Sequence, residues 1–252
     1  MVHELNCFFD KIFIISIKRN SKRLELFLKE NPLLNVEIYT GVDGHELYPE
    51  IEYVHNFPQS FFKENKLDYD RCKTFNKGQL GCALSNRNVQ ERIVDLQISK
   101  TLILEDDAFY FSQNINIFKK AINELPSNWE LFYLGYNPVS RWSENVFFRL
   151  LLQVKYFLLP VMVEGNKSSK KNKRFLSVKF SPNLNLPGIY TGTHAYALSY
   201  NGAIKTLSLD TPLKFGYDTL LMHANFNKLL KAFSLRKPLF FPNKKFETTL
   251  TN

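Results

Sequence analysis

Short apolar runs alternate with stretches of helical periodicity along most of this chain. Residues 11–17 (Lys-Ile-Phe-Ile-Ile-Ser-Ile) are apolar at nearly every position and read as a strand buried on both faces. After the basic turn of residues 18–23, Leu24, Phe27 and Leu28 recur at helical spacing, with Ser21 placed to cap the helix. Residues 35–40 read as a second strand, ending in Gly41-Val42-Asp43-Gly44, a tight turn that displays the Asp43 carboxylate. Residues 48–77 are aromatic and irregular, interrupted by Pro49 and Pro58, and read as a loop with short helical pieces. Helical spacing returns at Gly78, with Cys82, Val89, Ile93 and Leu96 on one face. Residues 101–104 then form a short apolar run ending in three carboxylates, Glu105, Asp106 and Asp107. Beyond it the pattern predicts a helix over 118–125 stopped by Pro126, strands over 129–136, 190–199 and 239–241, and a helix over 201–207. Alternating β and α elements with no Gly/Ser linker predict an α/β fold in one domain over 1–252.

The acidic triplet changes the picture most. A strand that ends in three adjacent carboxylates places them at a carboxyl edge, where open α/β sheets bind ligands. Their mutual repulsion calls for a positive partner, and a divalent cation completed by substrate phosphates is the natural one. The bland alternative is a strand end that spills charge into solvent. The turn after the first strand, with Arg19 and Arg23 ahead of a helix start, suits a diphosphate, although on a surface helix both would simply be solvated. No GxGxxG follows a strand, which argues against a dehydrogenase-type dinucleotide fold.

Charge and composition add three points. The net charge is +9 and the sequence pI near 9.3, a balance that suits anionic partners. The excess is concentrated at Lys167, Lys170, Lys171, Lys173, Arg174 and Lys179, within a hydrophobic and basic insertion at about 140–182, and in a basic C-terminal segment with Lys228, Lys231, Arg236, Lys237, Lys244 and Lys245. Residues 146–163 are the most hydrophobic stretch, but Arg149, Gln153, Lys155 and Pro160 make them a poor transmembrane span. As a helix they would present an apolar face to a core or to a membrane interface. The three cysteines, Cys7, Cys72 and Cys82, form no CxxC pair, and the first ten residues do not resemble a signal peptide, so a cytoplasmic location is expected.

Six pieces in order resemble glycosyltransferase family 25, which includes bacterial lipooligosaccharide galactosyltransferases. They are residues 12–19 with Arg23, Gly41-Val42-Asp43-Gly44, residues 78–85, residues 102–107, Tyr133-Leu134-Gly135, and Thr193-His194-Ala195-Tyr196 with Gly202-Ala203. The resemblance covers roughly residues 10 to 220. It implies a GT-A type nucleotide-sugar-binding fold with a mixed, mainly parallel central sheet flanked by helices, a divalent metal (manganese favoured, magnesium the alternative), and transfer with inversion from a UDP-sugar, galactose favoured, to a lipooligosaccharide acceptor. Such an acceptor would place the protein peripherally on the inner face of a bacterial inner membrane, held by an anionic surface. The family usually has Ser-His where this chain has Ser85-Asn86, so any role of that histidine is missing or altered here.

Residue roles follow as expectations. Asp107, furthest past the strand, is the expected direct metal ligand, with Glu105 and His194 as further ligands. Asp106, Ser16, Arg19, Arg23, Asp43, Gln79, Ser85, Asn86 and His194 are expected around the donor. Asp218 is the candidate base for the acceptor hydroxyl, with Glu105 or Asp43 as alternatives, and a helix cap as its structural role. His194 is equally consistent with a buried structural histidine, and His223 is a weaker rival for either role. A carbohydrate-binding relative without catalysis remains the main alternative. A basic nucleic-acid binder is the other, but no recognised nucleic-acid module appears and an acidic triplet fits a polyanion face badly.

Overall fold

The computed structural model describes residues 2–138, 174 and 176–243. Its strands are β1 (Lys11–Ser16), β2 (Glu37–Thr40), β3 (Lys100–Glu105), β4 (Ala108–Tyr110), β5 (Leu131–Pro138), β6 (Val178–Lys179), β7 (Leu184–Leu186), β8 (Tyr190–Ser199), β9 (Ala232–Leu235) and β10 (Phe240–Pro242). Its α-helices among the described residues are α1 (His3–Phe8), α2 (Ser21–Glu30), α3 (Gly44–Leu47), α4 (Gln59–Glu64), α5 (Tyr69–Cys72), α6 (Lys77–Asp95), α7 (Ile115–Glu124), α8 (Tyr200–Leu209) and α9 (Tyr217–Phe226).

All ten strands join one sheet, in the order β2-β1-β3-β8-β5-β9-β7-β6, with β10 pairing β5 and β4. β1 runs parallel to β2 and β3, and β9 and β10 run parallel to β5. β8 lies antiparallel between β3 and β5, so β5 points the same way as β3. Only β4, β7 and β8 oppose that common direction, which makes the sheet mixed but mostly parallel. Because β8 is reversed, its first residues lie at the same edge as the last residues of β1 and β3.

The two-residue period of a strand sorts the core into two faces. On one face Ile12, Ile14, Leu102, Leu104, Phe132 and Leu134 meet Leu5 of α1, Phe27 of α2 and Phe118 of α7. On the other, Phe13, Ile103, Leu131, Tyr133 and Tyr196 meet Val89 and Ile93 of α6 and Leu220 and Leu221 of α9. A third cluster explains residues 48–77, whose aromatic side chains lack a period because they wrap rather than span. Val54, Phe57, Phe61, Phe62 and Cys72 pack on Leu80, Ala83 and Leu84 of α6 and on Leu213.

α6 is thus covered from two sides, by the sheet and by this third cluster. Its buried surface is wider than the expected stripe and includes Ser85, Asn86, Arg87 and Gln90. Leu96 was expected on that face but lies just past the helix end, 56% exposed. The sequence pattern also did not show α1 or the short strands β4, β6, β7 and β9, whose two to four residues are too few to display a period. No helix among the described residues is long and apolar enough to cross a membrane. Residues 146–163, the basic positions Lys167, Lys170, Lys171 and Lys173, and Lys244 and Lys245 lie outside the described residues.

Candidate active site

The carboxyl ends of β1 and β3 open into a cleft of about 470 Å³. Its framework is a backbone-to-backbone contact between the 41–44 turn and the start of α6. A Cβ on Gly44 would lie 1.8 Å from the Lys77 carbonyl oxygen, and one on Gly81 would lie 2.5 Å from the Val42 oxygen, so only glycine fits at either position. The Ser85 hydroxyl closes the joint, accepting from the Val42 amide at 2.7 Å and donating to the Gly81 carbonyl at 2.7 Å. Asn76 and Gln79 form a reciprocal capping box at the helix start. In the turn, Asp43 caps α3 through the His45 amide and pairs with Arg19 at 2.9 Å.

The acidic triplet sits on the cleft floor, each member held differently. Asp106 is buried and accepts a 2.6 Å hydrogen bond from the Ser16 hydroxyl. Burial pushes its pKa up to about 6, an effect that this hydrogen bond and the nearby Arg23 charge partly offset. Glu105 accepts a short hydrogen bond from the Thr193 hydroxyl. Burial, then the charge of Asp107, raises its pKa to about 8. The Asp107 pKa is also raised by burial, against the attraction of Arg23, and its Oδ1 is buried without a hydrogen-bond partner. Among the described residues no three His, Cys, Asp or Glu side chains converge into a metal cage.

Asp218 reaches the cleft from the first turn of α9. It is exposed, and its Oδ1 accepts from the Thr219 amide at 2.7 Å. Behind the floor, Asn86 accepts a 2.6 Å hydrogen bond from Tyr196 and donates to the Cys82 carbonyl. Cys82 lines the cleft, and burial and the surrounding carboxylates raise its thiol pKa strongly. His194 does not line the cleft. It packs on Gly135, where a Cβ would lie 2.6 Å from its ring, and burial lowers its pKa to about 4.

These elements come from residues 16 to 219, and a family model covers almost the same span. The model for glycosyltransferase family 25 (LPS biosynthesis protein) matches residues 9–221. The chain belongs to glycosyltransferase family 25. Human procollagen galactosyltransferase 2 is 29% identical over 142 residues, covering 50% of this chain and 21% of that protein. A Drosophila melanogaster glycosyltransferase 25 family member is 31% identical over 147 residues, covering 54% and 22%. The human inactive glycosyltransferase 25 family member 3 is 26% identical over 142 residues, covering 54% and 23%. The matched part of this chain thus spans about a fifth of the length of these relatives.

In this family 25 chain, the cleft gathers Ser16, Arg19, Arg23, Asp43, Gln79, Ser85, Asn86, Glu105, Asp106, Asp107 and Asp218. It does not gather His194, the expected third metal ligand and donor neighbour, because that ring fills the space above Gly135. Nor does it gather His223, which stacks on Phe215. Gln79, Ser85 and Asn86 use their polar atoms chiefly to hold the scaffold. The sequence reading missed Asn20, Arg71, Phe75, Thr193, Lys214 and Tyr217, which also line the cleft. Thr193 stands next to the histidine that drew attention in the motif; Arg71 and Phe75 fall in the aperiodic stretch.

Proposed function

We propose that this chain is a glycosyltransferase of GT-A type that moves a hexose, galactose favoured, from a UDP-sugar to a glycolipid acceptor with inversion at the anomeric carbon. The observation that carries the reading is the Asp107 Oδ1, buried in the cleft without a partner beside two more carboxylates of raised pKa. Such a group is costly as an anion in a dry site and needs a cation. Asp107, with Glu105 at its side, would hold a divalent metal that donor phosphates and water would complete, since the described residues offer no closed cage. When bound, the metal supplies positive charge to a departing nucleoside diphosphate. Galactose is favoured because relatives of this chain are named as galactosyltransferases.

The protein groups then have separable tasks. Ser16 fixes Asp106 and Thr193 fixes Glu105, so the floor keeps its shape as charge changes above it. Arg23 faces Asp106 and Asp107 and is placed to meet a phosphate, while Arg19 is oriented by Asp43. Asp218, exposed to the acceptor side and anchored by Thr219, accepts the proton of the attacking hydroxyl. Work in the cytoplasm at an anionic membrane surface, through residues 146–163 and the basic positions that follow, belongs to the same reading.

A second reading, carbohydrate binding without turnover, is favoured by Asn86. Its amide is committed to Tyr196 and Cys82 and cannot serve as a general acid or base at neutral pH. A panel of nucleotide sugars assayed with manganese, with and without chelator, separates the two. Metal-dependent hydrolysis or transfer of one donor supports the transferase; binding without turnover of any donor supports the second reading.

A further inference from the structure

The cleft has a basic wall that the donor reading does not use. Arg71, from α5, and Lys214, from the loop before α9, both line it, whereas Arg19 and Arg23 belong to the β1–α2 side. Their backbones are fastened to each other. Leu67 and Leu213 form a parallel bridge, the Asp68 amide donates to the Leu213 carbonyl at 2.8 Å, and the Leu213 amide donates to the Lys66 carbonyl at 2.9 Å. The Cys72 thiol donates to the same Leu213 carbonyl at 3.1 Å, with both residues fully buried. Two cations are therefore carried on one rigid seam, not on separate flexible loops.

That seam leads directly to the candidate base. Lys214 and Asp218 flank Gly216, and a Cβ on Gly216 would meet the Asp218 Oδ1 at 3.6 Å. Phe75 and Phe215 also line the cleft, and the Lys214 ammonium lies 5.7 Å from the Phe215 ring centre. Aromatic faces suit the C–H faces of a sugar ring, and a Lys–Arg pair suits a carboxylate or phosphate. Arg23 acts on Asp106 and Asp107 and only partly offsets their burial. Lys214 also faces Asp210, a buried acid whose pKa burial raises to about 7 against the charges of Arg87 and Lys214.

We propose that Arg71 and Lys214 form an anion subsite beside Asp218, so that the acceptor is an acidic sugar carrying a carboxylate or phosphate near the hydroxyl that is glycosylated. The proposal rests on the sugar-transfer reading for the role of Asp218, but its test reads binding alone. With the protein saturated in UDP and magnesium, which unlike manganese is diamagnetic, ligand-observed NMR titrations compare galacturonate with galactose and glucose 6-phosphate with glucose. The acidic sugars should bind about tenfold more tightly than their neutral counterparts, a gap of about 1.4 kcal/mol, which narrows as salt rises. Whichever acid is held more tightly names the group. Arg71→Gln with Lys214→Gln should erase the preference and leave UDP affinity within about twofold, while Arg71→Lys with Lys214→Arg should keep the preference. Equal binding of acidic and neutral sugars would overturn the subsite. Loss of UDP affinity in the Gln pair would also do so, by assigning these cations to the donor. If the wild type does not bind UDP, the donor reading fails separately. The titration without nucleotide then decides: a preference lost in the Arg71/Lys214 pair supports the subsite, and one lost only in an Arg19→Gln/Arg23→Gln pair overturns it.

Discussion

Gly81 and Gly44 touch through their main chains: a Cβ on Gly81 would stand 2.7 Å from the Gly44 nitrogen. Two short motifs, far apart in sequence, are therefore one joint. The joint places the 41–44 turn, and through Asp43 it orients Arg19.

Gly81→Ala should force that joint open. Overpacking of this kind costs about 1–3 kcal/mol, and the displaced turn should also weaken donor binding by loosening the Asp43–Arg19 pair. Thermal melting and UDP titration of the variant check both effects. A variant that melts and binds like the wild type would show that the turn yields without consequence.

Asp107→Asn should abolish metal-dependent turnover and yet leave the metal-free protein at least as stable as the wild type. The substitution removes a charge that is buried against other carboxylates, while the packed core is untouched. Activity at near-native rates with manganese would assign the metal elsewhere.

Asp218→Asn should retain donor affinity and lose transfer by roughly 10²–10⁴-fold, the usual contribution of a positioned acid–base group. Its side chain is exposed and held by Thr219, so the fold should not suffer. An effect on donor affinity alone would move the base to Glu105 or Asp43.

Metal-free stability should fall as pH rises from about 4 to about 8. Glu105 at about 8, Asp106 at about 6 and Asp210 at about 7 all have folded-state values above those of the unfolded chain. In that window the folded protein holds protons that the unfolded chain has released, so raising the pH favours unfolding. Melting curves in chelator across this range test the sign. Glu105→Gln should flatten the upper part of the profile, and manganese should do the same if it binds the triplet. A melting temperature that rises steadily from pH 5 to 8 in chelator would contradict the assignment.

The sequence revealed the parts of this molecule that repeat with a period or end abruptly. β1, β3 and β8 were readable because each is apolar at consecutive positions, and the triplet was readable because three carboxylates close a buried run. The region between Tyr48 and Phe75 was not, because its aromatic residues pack around α6 from several short turns and obey no spacing. Arg71 and Lys214 were invisible for the same reason, since it is the Leu67–Leu213 bridge and the hydrogen bonds around it that bring their segments together. His194 was left open by its residue type, which suits a ligand or a buried structural histidine equally; only the fold shows its ring packed on Gly135.

The same bridge bears on how such a cleft diverges between relatives. Loop segments at 67 and 213 that share hydrogen bonds cannot change length independently, because an inserted residue on one side would break register with the other. Insertions there should be rare in the lineage, and when they occur they should come in compensating pairs. Acceptor preference is then expected to drift by single replacements at Arg71, Phe75, Lys214 and Phe215, leaving the donor floor inherited unchanged.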